Sequence, residues 1–399
     1  RLWISTLALA VVVGAPQLAD AQGKKGPGAP VLPRPSQAQM IPFIDTHAHL
    51  DFPRLNDVDA SIAAMIATMG ESKIAKSILM PTPMGGILGQ QTYDIAELLP
   101  ALRRFPNRIM LMAGPGTLGE LYFQKSAASI TEADRAEFRT KAEAIARQPV
   151  VGFGEIGIVH LSLPLMGDQH PYESAPADHP LLLVLADIAA EHRLAIDVHF
   201  DLIPRDMDLP RHLANPRARQ PNPERLTQNL DGFERFLAHN RGTNIVWAHV
   251  GGEPLATRTP EIVRQLFARN ANLFMSFRLI KTTQAPADAL DPQGRLKSDW
   301  ARLIADFPDR FVLGSDAFHQ DGVQQRGGTA VGFDNFHRLL AQLAPDLARK
   351  LAMENVLSIY PRAQMSPAAL PADERPAEST PSAPTKGFVK KGKGKGTNP

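Results

Sequence analysis

The chain has 399 residues, 44% hydrophobic and 21% charged, a composition typical of soluble globular proteins and long enough for one large domain or two ordinary ones. It contains no cysteine, which excludes disulfides and thiolate metal sites and leaves nitrogen and oxygen as the ligands for any metal. With residues 1–40 (4 basic, 1 acidic) and 366–399 (6 basic, 3 acidic) set aside, 33 basic and 37 acidic residues remain, net −4. That balance argues against a dedicated nucleic-acid-binding surface; the expected partner is a small-molecule substrate.

In chain order, residues 1–21 read as a signal peptide. A basic residue precedes an apolar run too short to span a bilayer, and Ala19-Asp20-Ala21 forms an A-x-A cleavage site. The expected product is secreted or periplasmic, with no transmembrane anchor after cleavage. Residues 22–40, rich in Gly, Pro, Gln and Lys, read as a flexible leader, and 366–399 as a disordered basic tail.

Between them, 41–365 carries eight short apolar runs: "MIPFIDTHAH", "KIAKSILMPTP", "RIMLMAGPG", "VVGFGEIGI", "RLAIDVHF", "NIVWAHVGG", "NLFMSFRLI" and "RFVLGSDAF". Amphipathic stretches such as "DVDASIAAMIATMG", "YDIAELLPALRRF", "TEADRAEFRTKAEAIARQ", "LLLVLADIAAEH", "NLDGFERFLAHN" and "TPEIVRQLFARN" lie between them. Eight alternations of strand and helix predict an α/β fold, a (β/α)8 TIM barrel with its active site at the C-terminal ends of the strands. A doubly wound open sheet is the competing architecture. "GPGTLG", Gly114–Gly119, matches G-x-G-x-x-G after a strand-like run, but proline holds its second position and nothing else supports a dinucleotide site, so it reads as a glycine-rich loop.

The predicted strand ends carry polar residues where apolar strands would not need them: His47 and His49 on the first, Glu155 on the fourth, His199 on the fifth, His249 on the sixth and Asp316 on the eighth. Period two places Asp45, His47 and His49 on one face of the first strand. Four imidazoles and two carboxylates around one mouth would be costly unsatisfied, and a divalent cation satisfies them together. The donor set suits Zn2+ first, then Mn2+, Fe2+, Co2+ or Ni2+, as one or two ions. Such an ion lowers the pKa of a water and polarises a carbonyl or phosphoryl oxygen, so hydrolysis is the natural chemistry, with Asp316 as general base.

These motifs carry a resemblance. From about 41 to 360 the chain resembles the amidohydrolase superfamily of metal-dependent barrel hydrolases, above all its amidohydrolase-related (amidohydrolase 2) branch. "DTHAH" is similar to the strand-one motif, "VWAHVGG" to the strand-six histidine segment, "FVLGSDAF" to the strand-eight aspartate segment and "MENVLSIYP" to the closing asparagine-containing helix. The resemblance implies that His47, His49 and Asp316 bind a first metal, and that His199 either joins them or binds a second metal with His249. With one metal, His249 is free for acid–base work. Glu155 occupies the place of a bridging carboxylate, and "GEIG" also resembles the TatD-like nucleases.

The lead expectation is an exported hydrolase cleaving a C–N or C–O bond of an amide, lactone or ester. A metal-dependent decarboxylase, a TatD-like phosphodiesterase and a non-enzymatic metal-binding barrel are the alternatives. Arg278, Lys281 and His319 are candidate substrate contacts, Asp45 a candidate to orient a ligand, and the proline- and arginine-rich segment 201–226 a candidate cover for the mouth. His160, His170 and His179 read as solvent-exposed loop residues. The oligomeric state is left open, a homo-oligomer included.

Overall fold

The computed structural model describes residues 32–50, 57–83, 93–168, 170–280, 282–320 and 329–364. The expected signal peptide, most of the leader and the basic tail lie outside these residues, as does Lys281. Eight parallel strands form in the predicted order: β1 (Phe43–Leu50), β2 (Ile74–Leu79), β3 (Ile109–Ala113), β4 (Val150–His160), β5 (Ala195–Phe200), β6 (Ile245–Val250), β7 (Leu273–Phe277) and β8 (Phe311–Leu313). Each pairs with its sequence neighbours, and β1 also pairs with β8 through Asp45 and Leu313, so the sheet closes on itself. The fold is a (β/α)8 barrel. Among the described residues no helix is long and apolar enough to cross a membrane.

The helices follow from their caps and apolar faces. α1 (Val58–Glu71) starts at Asp57, whose carboxylate accepts from the Ala60 amide; α2 (Ile95–Arg104) starts at Asp94 with a capping box to Glu97. The GPGTLG segment is a correction. Gly114 takes φ +126° at the cap of a helix, α3 (Pro115–Phe123), a backbone angle that favours glycine. The amides of Gly114 and Thr117 bond the Asp94 carboxylate at 2.8 and 2.9 Å, so the groups that would cradle a phosphate are already taken. α4 (Glu132–Ala146), α5 (Pro180–His192), α6 (Leu230–His239), α7 (Pro260–Arg269), α8 (Ser298–Asp306) and α9 (Thr329–Ala341) complete the outer ring.

Two apolar layers result. The larger lies between strands and helices; the smaller lies inside the barrel, where Ile44, Ile78, Met112, Val151, Ala195, Val246 and Val312 meet Val356, Ile359 and Tyr360 of the closing segment. That plug at the N-terminal end leaves the opposite end free for the site. Asn355, buried, donates from Nδ2 to the carbonyls of Pro308 and Phe311 at 2.9 and 2.8 Å, tying the plug to the start of β8.

Strict alternation fails in β1. Phe43, Ala48 and Leu50 all pack in the outer layer although period two would separate Phe43 from the others, and a register irregularity lies between Asp45 and Ala48. Asp45 therefore does not share the histidines' rim as expected; a bulge, which inserts one residue against the partner strand, breaks the face. Segment 201–226 also departs from expectation. It backs the segment after β4 through a small core of Leu161, Ile203, Leu213 and Leu226, and through Asn222, which bonds both backbone groups of Ser162. Of its residues, Asp201 lines the cavity.

Replacing Asn355 by alanine strands the two carbonyls and is expected to cost about 2 kcal/mol, read as a lower urea midpoint with an unchanged slope. An unmoved midpoint would show that the plug does not depend on this side chain.

Candidate metal centre

The six residues singled out at the strand ends converge. His47, His49, Glu155 and Asp316 form one set of ligating atoms lying within 4.8 Å of one another, and Glu155, His199 and His249 form a second. Glu155 belongs to both. Its Oε2 lies 3.3 Å from His47 Nε2 and 3.4 Å from His49 Nε2, while its Oε1 lies 2.7 Å from both His199 Nδ1 and His249 Nε2. Asp316 Oδ1 is 3.2 Å from His49 Nε2.

Which ring nitrogen carries hydrogen follows from the partners. His49 Nδ1 is 2.9 Å from the Met80 carbonyl, which can only accept, so Nδ1 is the donor and Nε2 presents a lone pair. His47 Nδ1 faces the Asp197 carboxylate at 3.2 Å, which favours the same tautomer. The two Nε2 atoms are nevertheless 3.1 Å apart, with the oxygens of Glu155 and Asp316 beside them. With both rings neutral, two lone pairs would face the carboxylate of Glu155, buried like the histidines, and that of the partly exposed Asp316. A cation is what such a set lacks, and the imidazole and carboxylate donors fit Zn2+ or a neighbouring first-row ion.

The electrostatics run the same way. Burial disfavours the charge on His47, but Asp197 and Glu155 outweigh it and hold its pKa well above the ordinary value; His49 rises against burial through Asp316 and Glu155. For His199 burial is again outweighed, by Asp201 and Glu155, and its pKa stands at about 9. His249 differs, because burial dominates and pulls it to about 3, a neutral ring. Asp316 is pushed up by burial, but Arg278 and His49 together hold it well below the usual carboxylate range.

Local structure aims these groups. β8 breaks at Gly314–Asp316 and resumes at Ala317–His319, still paired to β1. A Cβ on Gly314 would lie 2.8 Å from that of His47, so only glycine lets the strand pass beneath the imidazole. Asp316 and His249 both have left-handed backbones, φ +55° and +69°, conformations costing about 1–3 kcal/mol each that persist where neighbours over-determine them. For Asp316 those neighbours are the His47 carbonyl, which accepts its amide at 2.9 Å, and Asp45, whose carboxylate takes the Ser315 amide and hydroxyl at 2.8 and 2.6 Å. Asp45 thus works through backbone, and Asp197 is the carboxylate that faces the His47 ring.

The open cavity above has an apolar wall that includes Leu161, Leu163, Met166 and Phe318. Arg278 lines it, with Nε 2.7 Å from Asp316 Oδ2 and Nη1 donating to the Gly252 carbonyl at 3.2 Å. His319 is a correction: it is buried and not part of the cavity wall, and its neighbour Phe318 takes that place because successive strand residues face opposite ways. The histidines read as exposed are a second correction. His160 is buried at the end of β4, its ring centroid 4.6 Å from that of His199; His170 lines the cavity; His179 is buried and caps α5. Sequence reading missed Asp197, yet "DTH" at 45–47 and "DVH" at 197–199 repeat one pattern that marks it.

No family model matches the chain, and no curated protein matches it. Among solved structures it is similar to a dihydroorotase from Campylobacter jejuni (13% identity over 80% of this chain and 83% of that one, TM-score 0.42). It is similar also to an N-acyl-D-glutamate deacylase from Bordetella bronchiseptica in complex with zinc and a phosphonate inhibitor (15%, 81% and 75%, TM-score 0.46). A third is a 5-carboxyvanillate decarboxylase from Sphingomonas paucimobilis (14%, 80% and 99%, TM-score 0.44).

Asp197→Asn removes the acceptor that favours the His47 tautomer. It is expected to weaken binding of Zn2+ ten- to a hundred-fold, the usual effect of losing a carboxylate behind a ligating imidazole, measured by competition with a chromogenic chelator. An unchanged affinity would show that Asp197 does not hold the ring.

Proposed function

We propose that the chain is a metal-dependent hydrolase of the amidohydrolase superfamily that cleaves a C–N or C–O bond of a small amide, lactone or ester. The observation that carries this reading is the split of one carboxylate: Oε2 of Glu155 faces His47 and His49, and Oε1 faces His199 and His249. The two sets that share Glu155 would each hold a divalent ion, zinc by preference: His47, His49 and Asp316 on one side, His199 and His249 on the other.

Ions held there supply Lewis acidity, which makes a water more acidic and polarises a carbonyl oxygen. The residues do the rest. Asp316 stays anionic across the neutral range, and its Oδ1 takes the proton of the attacking water and returns it to the leaving nitrogen or oxygen. Arg278 holds the other oxygen of Asp316, fixing the carboxylate's rotation while its own charge remains at the cavity wall. The apolar side formed by Leu161, Leu163, Met166 and Phe318 excludes water from the substrate body. Residues 1–21 add the proposal that the protein works outside the cytoplasm.

Asp316→Asn is expected to lower kcat by at least a factor of about a hundred on whichever amide, lactone or ester of a substrate panel the parent hydrolyses, with thermal unfolding close to the parent's. Hydrolysis at the parental rate would remove Asp316 as the base. Release of CO2 in place of bond hydrolysis would overturn the reaction class.

A further inference from the structure

We propose that Arg258 is a positioning residue that sets the spacing of His199 and His249 and thereby shapes the second of the two cation positions; the inference rests on the two-ion reading above. Strands β5 and β6 pair through Ile196–Ile245, Asp197–Val246 and Val198–Trp247, and the ladder stops there. Past the last rung, His199 is the first residue on one strand and His249 the second on the other, and their rings stand 4.8 Å apart.

Where the ladder stops, a side chain takes over. Arg258 is fully buried; its Nη2 donates to the Phe200 carbonyl at 3.0 Å and its Nη1 to the Ala248 carbonyl. Phe200 follows His199 and Ala248 precedes His249, so one guanidinium spans the backbones of both ligands. Its donors have a fixed separation set by the planar fork, which a lysine ammonium cannot reproduce. The fork is itself fixed. It lies 4.7 Å from the centroid of the Trp247 ring, Trp247 Nε1 donates to the same Phe200 carbonyl at 2.9 Å, and the Arg258 amide donates to Glu253 Oε1 at 3.1 Å.

The charge has a use beyond the two carbonyls. Asp201 has one oxygen 3.9 Å from Arg258 Nη2 and the other 3.7 Å from His199 Nε2, so the guanidinium lies behind the carboxylate that faces the histidine. A buried cation serving only to fill space would be replaceable by an apolar side chain of similar volume. Here methionine would take the guanidinium from the Ala248 carbonyl and from Asp201 Oδ1, and leave the Phe200 carbonyl with Trp247 Nε1, on the His199–His249 side of the centre alone.

The test is a titration of the full-length protein, stripped of metal, with Co2+ as the probe and its visible absorption as the readout, for the parent, Arg258→Met and Arg258→Lys, with His199→Asn to mark the step that belongs to the second position. The parent is expected to take two ions in resolved steps. Arg258→Met should weaken the step that His199→Asn removes by tenfold or more and leave the other within about twofold of the parent; Arg258→Lys, which keeps the charge but not the fork, should fall between. Two variants that both titrate like the parent would overturn the assignment, and so would equal weakening of both steps, which marks a general structural role. A parent that takes up one ion would instead overturn the two-ion reading and this inference with it.

Discussion

The constraint on which the rest of the structure depends is electrostatic. Ring nitrogens of His47 and His49 and the carboxylates of Glu155 and Asp316 are brought together at one end of the barrel, with His47, His49 and Glu155 buried, and with both rings neutral two lone pairs would face two carboxylates. Left alone, the set draws in positive charge, which is why the imidazole pKa values of His47, His49 and His199 all rise against burial. The fold holds these groups at short range because β1, β4, β5, β6 and β8 end at one rim. The plug of Val356, Ile359 and Tyr360 closes the other end.

Holding them there requires irregular backbone. The bulge in β1, the left-handed His249 in β6, and the break of β8 at the left-handed Asp316 each lie next to a candidate ligand. Every one is compensated by specific bonds: Asp45 on Ser315, the His47 carbonyl on the Asp316 amide, and Arg258 on the carbonyls beside His199 and His249. Local strain concentrated beside one cluster of ionisable groups, with surrounding side chains fixing it in place, is the pattern expected of a site selected for its chemistry.

Much of this was legible in the sequence. Buried parallel strands read as short apolar runs, so all eight were found in order; long amphipathic stretches marked α1, α2, α4, α5, α6 and α7. The six candidate ligands at the strand ends stood out because an apolar strand has no other use for them. α3 was hidden because its first turn is glycine and proline. The bulge of β1 was not legible, since it depends on how β2 and β8 pair with it; the false grouping of Asp45 with the histidines followed from assuming unbroken alternation. His160 and His179 looked like loop residues, and only tertiary packing buries them. Arg258 carries no motif at all. Its partners are backbone carbonyls, which sequence does not display.

The central claim is that one carboxylate separates two cation positions. Crystals of the zinc-loaded full-length protein, with anomalous scattering recorded on both sides of the zinc absorption edge, test it most directly. The account predicts two peaks, one between Glu155 and the His47–His49 pair and one between Glu155 and the His199–His249 pair. A single peak, or zinc bound away from Glu155, would contradict it.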